Sequence, residues 1–165
     1  MLISFSGLPG VGKSTIACLL AQRISATVLR IDIVDQKLVE IGFTPVRDES
    51  YRICQALAED NLRLGRTIIA DCVNDMEVTR ADWRAAAARA GVKCLEVEII
   101  CTDQAAHRGR VETRVVDIPG LALPTWEKIT ARASEPWSSP RLVIDTANTS
   151  AVDAAALIAA EVAAI

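Results

Sequence analysis

The sequence predicts an α/β fold in which a parallel sheet is covered by helices on both faces. Five short apolar runs rich in β-branched residues recur along the chain, and helical patterns fill the intervals between them. A glycine-rich turn, Gly-Leu-Pro-Gly-Val-Gly, joins the first run to the first helical pattern.

The first strand is Leu-Ile-Ser-Phe-Ser at 2–6, and a helix follows near 13–24. Thr-Val-Leu-Arg-Ile at 27–31 reads as the second strand, with helices near 35–41 and 48–64 behind it. In the latter helix Ile53, Leu57 and Leu64 recur at helical spacing. Thr-Ile-Ile-Ala-Asp at 67–71 is the third strand and leads to a helix near 75–90. Gly65 and Gly91 stand where helices should end. Cys-Leu-Glu-Val-Glu-Ile-Ile at 94–100 is the fourth strand, with helices near 103–114 and 125–133. Between them the stretch 107–124 replaces a clean period with charge, glycine and proline. Arg-Leu-Val-Ile-Asp at 141–145 is the fifth strand. The last helix, near 151–164, opens on the capping-box-like Ser-Ala-Val-Asp and repeats Ile158, Val162 and Ile165. No internal repeat, low-complexity tract or linker interrupts the chain, so 1–165 reads as one domain.

A net charge of −3 excludes a general binder of nucleic acid or membrane surfaces. Cys18, Cys54, Cys72, Cys94 and Cys101 are odd in number and contain no Cys-x-x-Cys pair, which favours free thiols in a reducing compartment. The apolar residues before the first glycine are too few for a signal peptide or a membrane span. The expected location is the cytoplasm.

Acids mark one rim of the sheet. The second, third and fifth strands run into Asp32, Asp71 and Asp145, and Asp103 follows the fourth. Open parallel sheets bind ligands outside the carboxyl ends of their strands. For Asp103 and Asp145, capping of the next helix is the favoured expectation.

Residues 7–14 fit Gly-x-x-x-x-Gly-Lys-Ser, the Walker A or P-loop pattern, through Gly7, Gly12, Lys13 and Ser14. Glycines permit a tight turn whose successive N–H groups face inward as a nest for phosphate oxygens. Pro9, Gly10, Val11 and Thr15 complete that nest, and the helix starting near Lys13 adds its positive dipole end. Lys13 can reach the β- and γ-phosphates, and the Ser14 hydroxyl can ligate Mg²⁺. The pattern requires a strand before it and a helix after it, and both are present. These residues point to a nucleoside triphosphate. No Asn-Lys-x-Asp segment for guanine, no ABC-type signature loop and no chain for a AAA+ motor's lid domain are found.

The chain resembles the small P-loop kinases grouped around chloramphenicol phosphotransferase, gluconate kinase, adenylylsulfate kinase and the polynucleotide kinase 5′-kinase domain. The resemblance rests on the phosphate loop, Arg-Ile-Asp at 30–32, 64–74, His-Arg-Gly-Arg-Val-Glu-Thr-Arg at 107–114, and the stretch from Leu123 onward. It implies a three-layer fold with five parallel strands in order 2-3-1-4-5 and an arginine-rich lid near 107–124. It also implies ATP and Mg²⁺ as co-substrates and phosphoryl transfer to a hydroxyl.

In similar kinases an Asp at the position of Asp32 contacts the acceptor hydroxyl and can take its proton. Relatives often carry an arginine three residues later, where this chain has Asp35, an acid that would repel an anionic acceptor. Asp71, with Asn74 three residues on, is a candidate for a metal-bound water or the acceptor floor. Arg80 is open between an acceptor contact, an inward ion pair and a solvated face. Arg110 and Arg114 are expected to close over the nucleotide, ahead of Arg108, since guanidinium groups match phosphate oxygens bidentately. The lone His107 is expected to be structural. Arg47, Tyr51 and Arg52 are candidate acceptor contacts, because such folds build the acceptor site there. Trp126 and Trp137 are expected to pack the helix after the lid against the sheet, and 146–148 to wrap adenine.

These residues imply an ATP-dependent, Mg²⁺-requiring kinase of a small hydroxyl compound, acting as a monomer or homodimer. Two rival acceptors are a nucleoside or polynucleotide 5′-hydroxyl and adenylylsulfate. The absence of a basic stripe speaks against nucleic acid. A rival of another class is an ATP-binding switch module with no acceptor.

Overall fold

A computed structural model describes residues 1–165. Its five parallel strands are β1 (Leu2–Ser6), β2 (Thr27–Arg30), β3 (Ile68–Asp71), β4 (Cys94–Ile100) and β5 (Leu142–Asp145), in the order β2-β3-β1-β4-β5. This is the order the kinase resemblance implies. The helices are α1 (Lys13–Ile24), α2 (Ile31–Glu40), α3 (Glu49–Arg63), α4 (Glu77–Arg89), α5 (Gln104–Thr113), α6 (Trp126–Thr130) and α7 (Ala151–Ala164).

The sheet is apolar on both faces because both are covered. All of β1 is buried, and Ile3 lies in register with Ile69 of β3 and Leu95 of β4. Alternation along the strand sends Ile3 and Phe5 to the face under α1 and α7, where they meet Ile16, Leu20 and Ile158. Leu2 turns to the other face, with Cys54, Ala58, Leu62 and Trp83 of α3 and α4. The chain reverses its direction of sheet growth between β1 and β3. A crevice therefore opens at the carboxyl ends of those two strands.

Three local expectations change. β2 ends at Arg30, so Asp32 lies in the first turn of α2 rather than at a strand end. The buried Ile31 draws the chain inward there, and an acid in a first helical turn complements the helix dipole. On α3 the large residues Ile53 and Leu57 are exposed, as is Leu64 just past its end, and Cys54, Ala58 and Leu62 face inward. α6 is short, ending at Thr130. No helix is long and apolar enough to cross a membrane, and all five cysteines are free thiols.

Candidate functional site

The loop after β1 is shaped by its glycines and by what presses on it. Gly7 has φ 142°, and a Cβ there would stand 2.1 Å from the Ile99 carbonyl oxygen. Gly10 has φ 85°, and its Cβ would meet Val111 Cγ2 at 2.5 Å. Neither position admits a side chain. Gly12, at φ 106°, is the N-cap residue of α1. Lys13 is nearly buried, and its Nζ donates to the carbonyls of Gly7 at 2.7 Å and Leu8 at 2.9 Å. The ammonium therefore sits inside the loop's concavity. Burial lowers its pKa, opposed by the carboxylates of Asp71 and Asp32.

His107, from α5, holds the loop from outside. Its Nε2 lies 2.8 Å from the Pro9 carbonyl oxygen and its ring meets Trp126 edge-on at 5.0 Å. A carbonyl only accepts, so Nε2 carries the proton. The C=O and N–H of a trans peptide point in opposite directions. With the Pro9 carbonyl drawn toward α5, the Gly10 N–H turns away from α5, to the concave side of the loop. Neither the Gly10 nor the Gly12 N–H donates to a protein acceptor.

A cavity of about 520 Å³ opens beside the loop. One wall is Gly12–Thr15; Arg30 and Asp32 come from the β2–α2 junction, and Asp71–Val73 from the end of β3. Arg110, Arg114, Asp117 and 121–124 form the opposite side, with Arg132 beyond. Asp71 is 5 % exposed, with the Ser14 hydroxyl close to its carboxylate. Burial raises the Asp71 pKa, while Lys13, Ser14 and Arg30 pull it back down. Arg30 Nε stands 3.6 Å from Asp71 Oδ2, as expected from residues paired in register across β2 and β3.

A second cavity, of about 440 Å³, lies on the other side of α1's start, between Val11–Ile16 and 146–151. Arg110 lines both cavities. Its guanidinium donates to Thr146 Oγ1 at 2.9 Å and to the Thr146 carbonyl at 3.0 Å, and Thr146 Oγ1 donates to the Val11 carbonyl. Asp145 below it accepts from the Thr102 and Ala147 N–H groups, and Asp103 caps α5 through the Ala106 N–H.

Lys13, Ser14, Asp32, Asp71, Arg110 and Arg114 are thus brought to one cavity, Arg114 from just past the end of α5. Arg47 and Arg52 are exposed and do not line it. Asn74 is turned inside at φ 53°, donating through Nδ2 to Ser4 Oγ, and its N–H donates to the Tyr51 hydroxyl. Both residues serve the β3–α4 turn, whose left-handed backbone suits Asn. Asp35 is directed to Ser50 of α3, and burial raises its pKa; it does not reach the cavity. Arg80 is fully buried, where it donates to Glu77 and to the carbonyls of Asn74, Asp75, Glu135 and Pro136. Trp137 covers Arg80 and Arg141, and Trp126 packs on His107. Arg108 pairs outward with Glu112. The sequence reading gave no role to Arg30, Asp117 or Arg132. Arg30 alone carried a signal, two residues before Asp32.

A family model described as an AAA domain matches residues 2–136. An adenylyl-sulfate kinase of Synechococcus sp. (strain JA-3-3Ab) is 33% identical over 87 residues, covering 48% of this chain and 49% of the relative. The match therefore spans about half the length of the curated relatives. The Mycobacterium tuberculosis APS kinase, solved with AMPPNP and APS, superposes with a TM-score of 0.73 at 20% identity, covering 98% of this chain and 96% of that one. A gluconokinase from Sinorhizobium meliloti 1021 superposes with a TM-score of 0.62 at 17% identity, with 98% and 94% covered. These structures share the fold.

Proposed function

The chain belongs to this AAA-domain family, and on that premise we propose that it is an ATP-dependent kinase transferring the γ-phosphoryl group to a hydroxyl of a small molecule. The observation that carries the proposal is one cavity holding both halves of such a reaction. The phosphate loop with Lys13 forms one wall, and Asp32 and Asp71 face it from β2–α2 and β3.

In this proposal the loop N–H groups and Lys13 grip the β- and γ-phosphates. The second cavity takes the nucleoside against 146–148. Arg110, which lines both cavities, lies over the phosphate chain between them. Asp32 orients the acceptor hydroxyl and accepts its proton as oxygen attacks the γ-phosphorus and the bond to the departing ADP oxygen breaks. Arg110 and Arg114 offset charge on the moving phosphoryl group, and 107–124 shields it from water. Ser14 and Asp71 fit a magnesium ion, which takes one or two protein oxygens and keeps phosphate and water ligands. When bound, that ion neutralises phosphate charge. The Synechococcus relatives make adenylyl sulfate the first acceptor to try.

The test is an ADP-release screen with Mg-ATP against sugars, sugar acids, nucleosides, adenylyl sulfate and aminoglycoside or phenicol antibiotics. One acceptor should yield phosphorylated product equal to ADP. Lys13→Ala should abolish turnover, and Asp32→Asn should lower kcat about a hundredfold. ATP hydrolysis that no acceptor accelerates, coupled to protein binding, would establish a switch module instead.

A further inference from the structure

The cavity carries more cationic groups than a triphosphate accounts for. Lys13 and Arg110 serve the nucleotide side in the proposed reaction. Arg132 is paired with Asp75, which does not line the cavity. Arg30 has no part in that reaction, and Arg114, which there also faces the moving phosphoryl group, turns with it to one carboxylate. Arg30 holds Asp117 through two hydrogen bonds, Nη1 to Oδ2 at 2.6 Å and Nη2 to Oδ1 at 3.3 Å. Arg114 Nη2 stands 4.0 Å from Asp117 Oδ1.

The two sides of this contact are unequal. Arg30 ends a sheet strand, is 14 % exposed and is braced by Asp71. Asp117 is 55 % exposed and belongs to the irregular stretch between α5 and α6. The next residue, Ile118, is buried and pins that stretch, so rotation of the Asp117 side chain alone releases the arginines. The Asp117 carboxylate is open to solvent, so a second anion can reach Arg30 and compete for the two bonds that Asp117 makes. The Arg30 hydrogen bonds hold the Asp117 carboxyl below its ordinary pKa, so it is an anion at neutral pH. Asp35, the acid that the sequence set against an anionic acceptor, faces α3 rather than the cavity.

We propose that Arg30 and Arg114 form a subsite for an oxyanion on the acceptor, and that Asp117 occupies it as an internal counter-ion which the acceptor displaces. This rests on the kinase reading of the site. A guanidinium fork that holds a carboxylate through two bonds also suits sulfate and phosphate. Arg30 precedes Asp32 by two positions and both line this cavity, so one small molecule can present its oxyanion to the first and its hydroxyl to the second. The acceptor class is a small hydroxyl compound bearing a carboxylate, sulfate or phosphate.

Calorimetry on the full chain, loaded with magnesium and a non-hydrolysable ATP analogue, tests this. The probes are gluconate, adenylyl sulfate and glucose 6-phosphate, with glucose as the neutral partner. At least one anion should bind; gluconate offers a carboxylate alone, glucose 6-phosphate a phosphate alone, and adenylyl sulfate a joined phosphate and sulfate. Asp117→Asn should tighten that binding several-fold, and Arg30→Gln should weaken it about tenfold, the loss of one charge-assisted bidentate contact. Arg108→Gln, whose partner is the exposed Glu112, should change nothing. Because Asp117 is exposed, its variant carries the test even if Arg30→Gln melts early. Failure of every anion to bind, or binding that Asp117→Asn does not tighten, overturns the subsite. A neutral acceptor phosphorylated with the same KM in wild type and Arg30→Gln overturns it while leaving the kinase standing. Acceptor-independent hydrolysis would sink the kinase and leave the binding result intact.

Discussion

His107 shows how one side chain outside the phosphate loop sets the loop's chemistry. It meets the Pro9 carbonyl, Trp126 and the bare face of Gly10, and by holding the Pro9 carbonyl it fixes the peptide plane that carries the Gly10 N–H. His107→Leu keeps the volume and removes the donor. Its ATP dissociation constant should rise about fivefold, the worth of one buried hydrogen bond. His107→Gln offers an N–H at a similar reach and should recover most of that loss, which a merely space-filling role would not. Nucleotide calorimetry on both variants checks it. Lys13 and Ser14 were legible from eight consecutive residues, because a phosphate nest is a local object. Arg30 and Asp117 were not, being partners 87 positions apart.

At the scale of elements, α4 illustrates a junction that charge holds rather than apolar contact. Glu77, in its first turn, accepts from Arg80, Arg84 and Ser138, and these bonds depress its pKa to about 2. The contacts tie α4 to the 135–139 stretch, and Arg84 also reaches Ser139 of that stretch and Glu96 of β4. An acid with a depressed native pKa stabilises the fold above its unfolded value, and that contribution fades as pH falls toward the native value. Thermal unfolding of the wild type should therefore steepen in its pH dependence between about pH 4.5 and pH 2. Glu77→Gln should lose stability at neutral pH and show a flatter curve in that window. A parallel curve would remove Glu77 from the clamp. The sequence showed α4 as a helix but left Arg80 open. A buried guanidinium is recognised only by the four carbonyls around it, two of which come from Glu135 and Pro136.

On the scale of the whole molecule, the strand order joins the two cavities. β1 lies between β3 and β4, so its carboxyl-terminal loop faces Asp71 on one side and the 146–151 loop on the other. A ligand spanning both cavities clamps α1, α5 and the sheet ends together, and binding to the native state alone raises stability. With Mg-ATP analogue at a hundred times its dissociation constant, the melting temperature should rise by about 5–10 °C. Lys13→Ala should abolish most of the shift, and a shift that survives this change would place the nucleotide elsewhere.

The sequence by itself determined the five strands, the helices between them and the phosphate loop. Each of these is written in residues a few positions apart, where period and turn chemistry act. Residues alone did not determine which way a helix faces. α3 buries Cys54, Ala58 and Leu62 and exposes Ile53 and Leu57, because the face a helix turns inward is set by the partners packed against it, here β1, β3 and α4. Only the tertiary structure decided that Arg47, Arg52, Asn74 and Asp35 stay out of the cavity and that Arg30, Asp117 and Arg132 enter it. Charge acts through space, and the neighbours that matter to an ion arrive from distant parts of the chain.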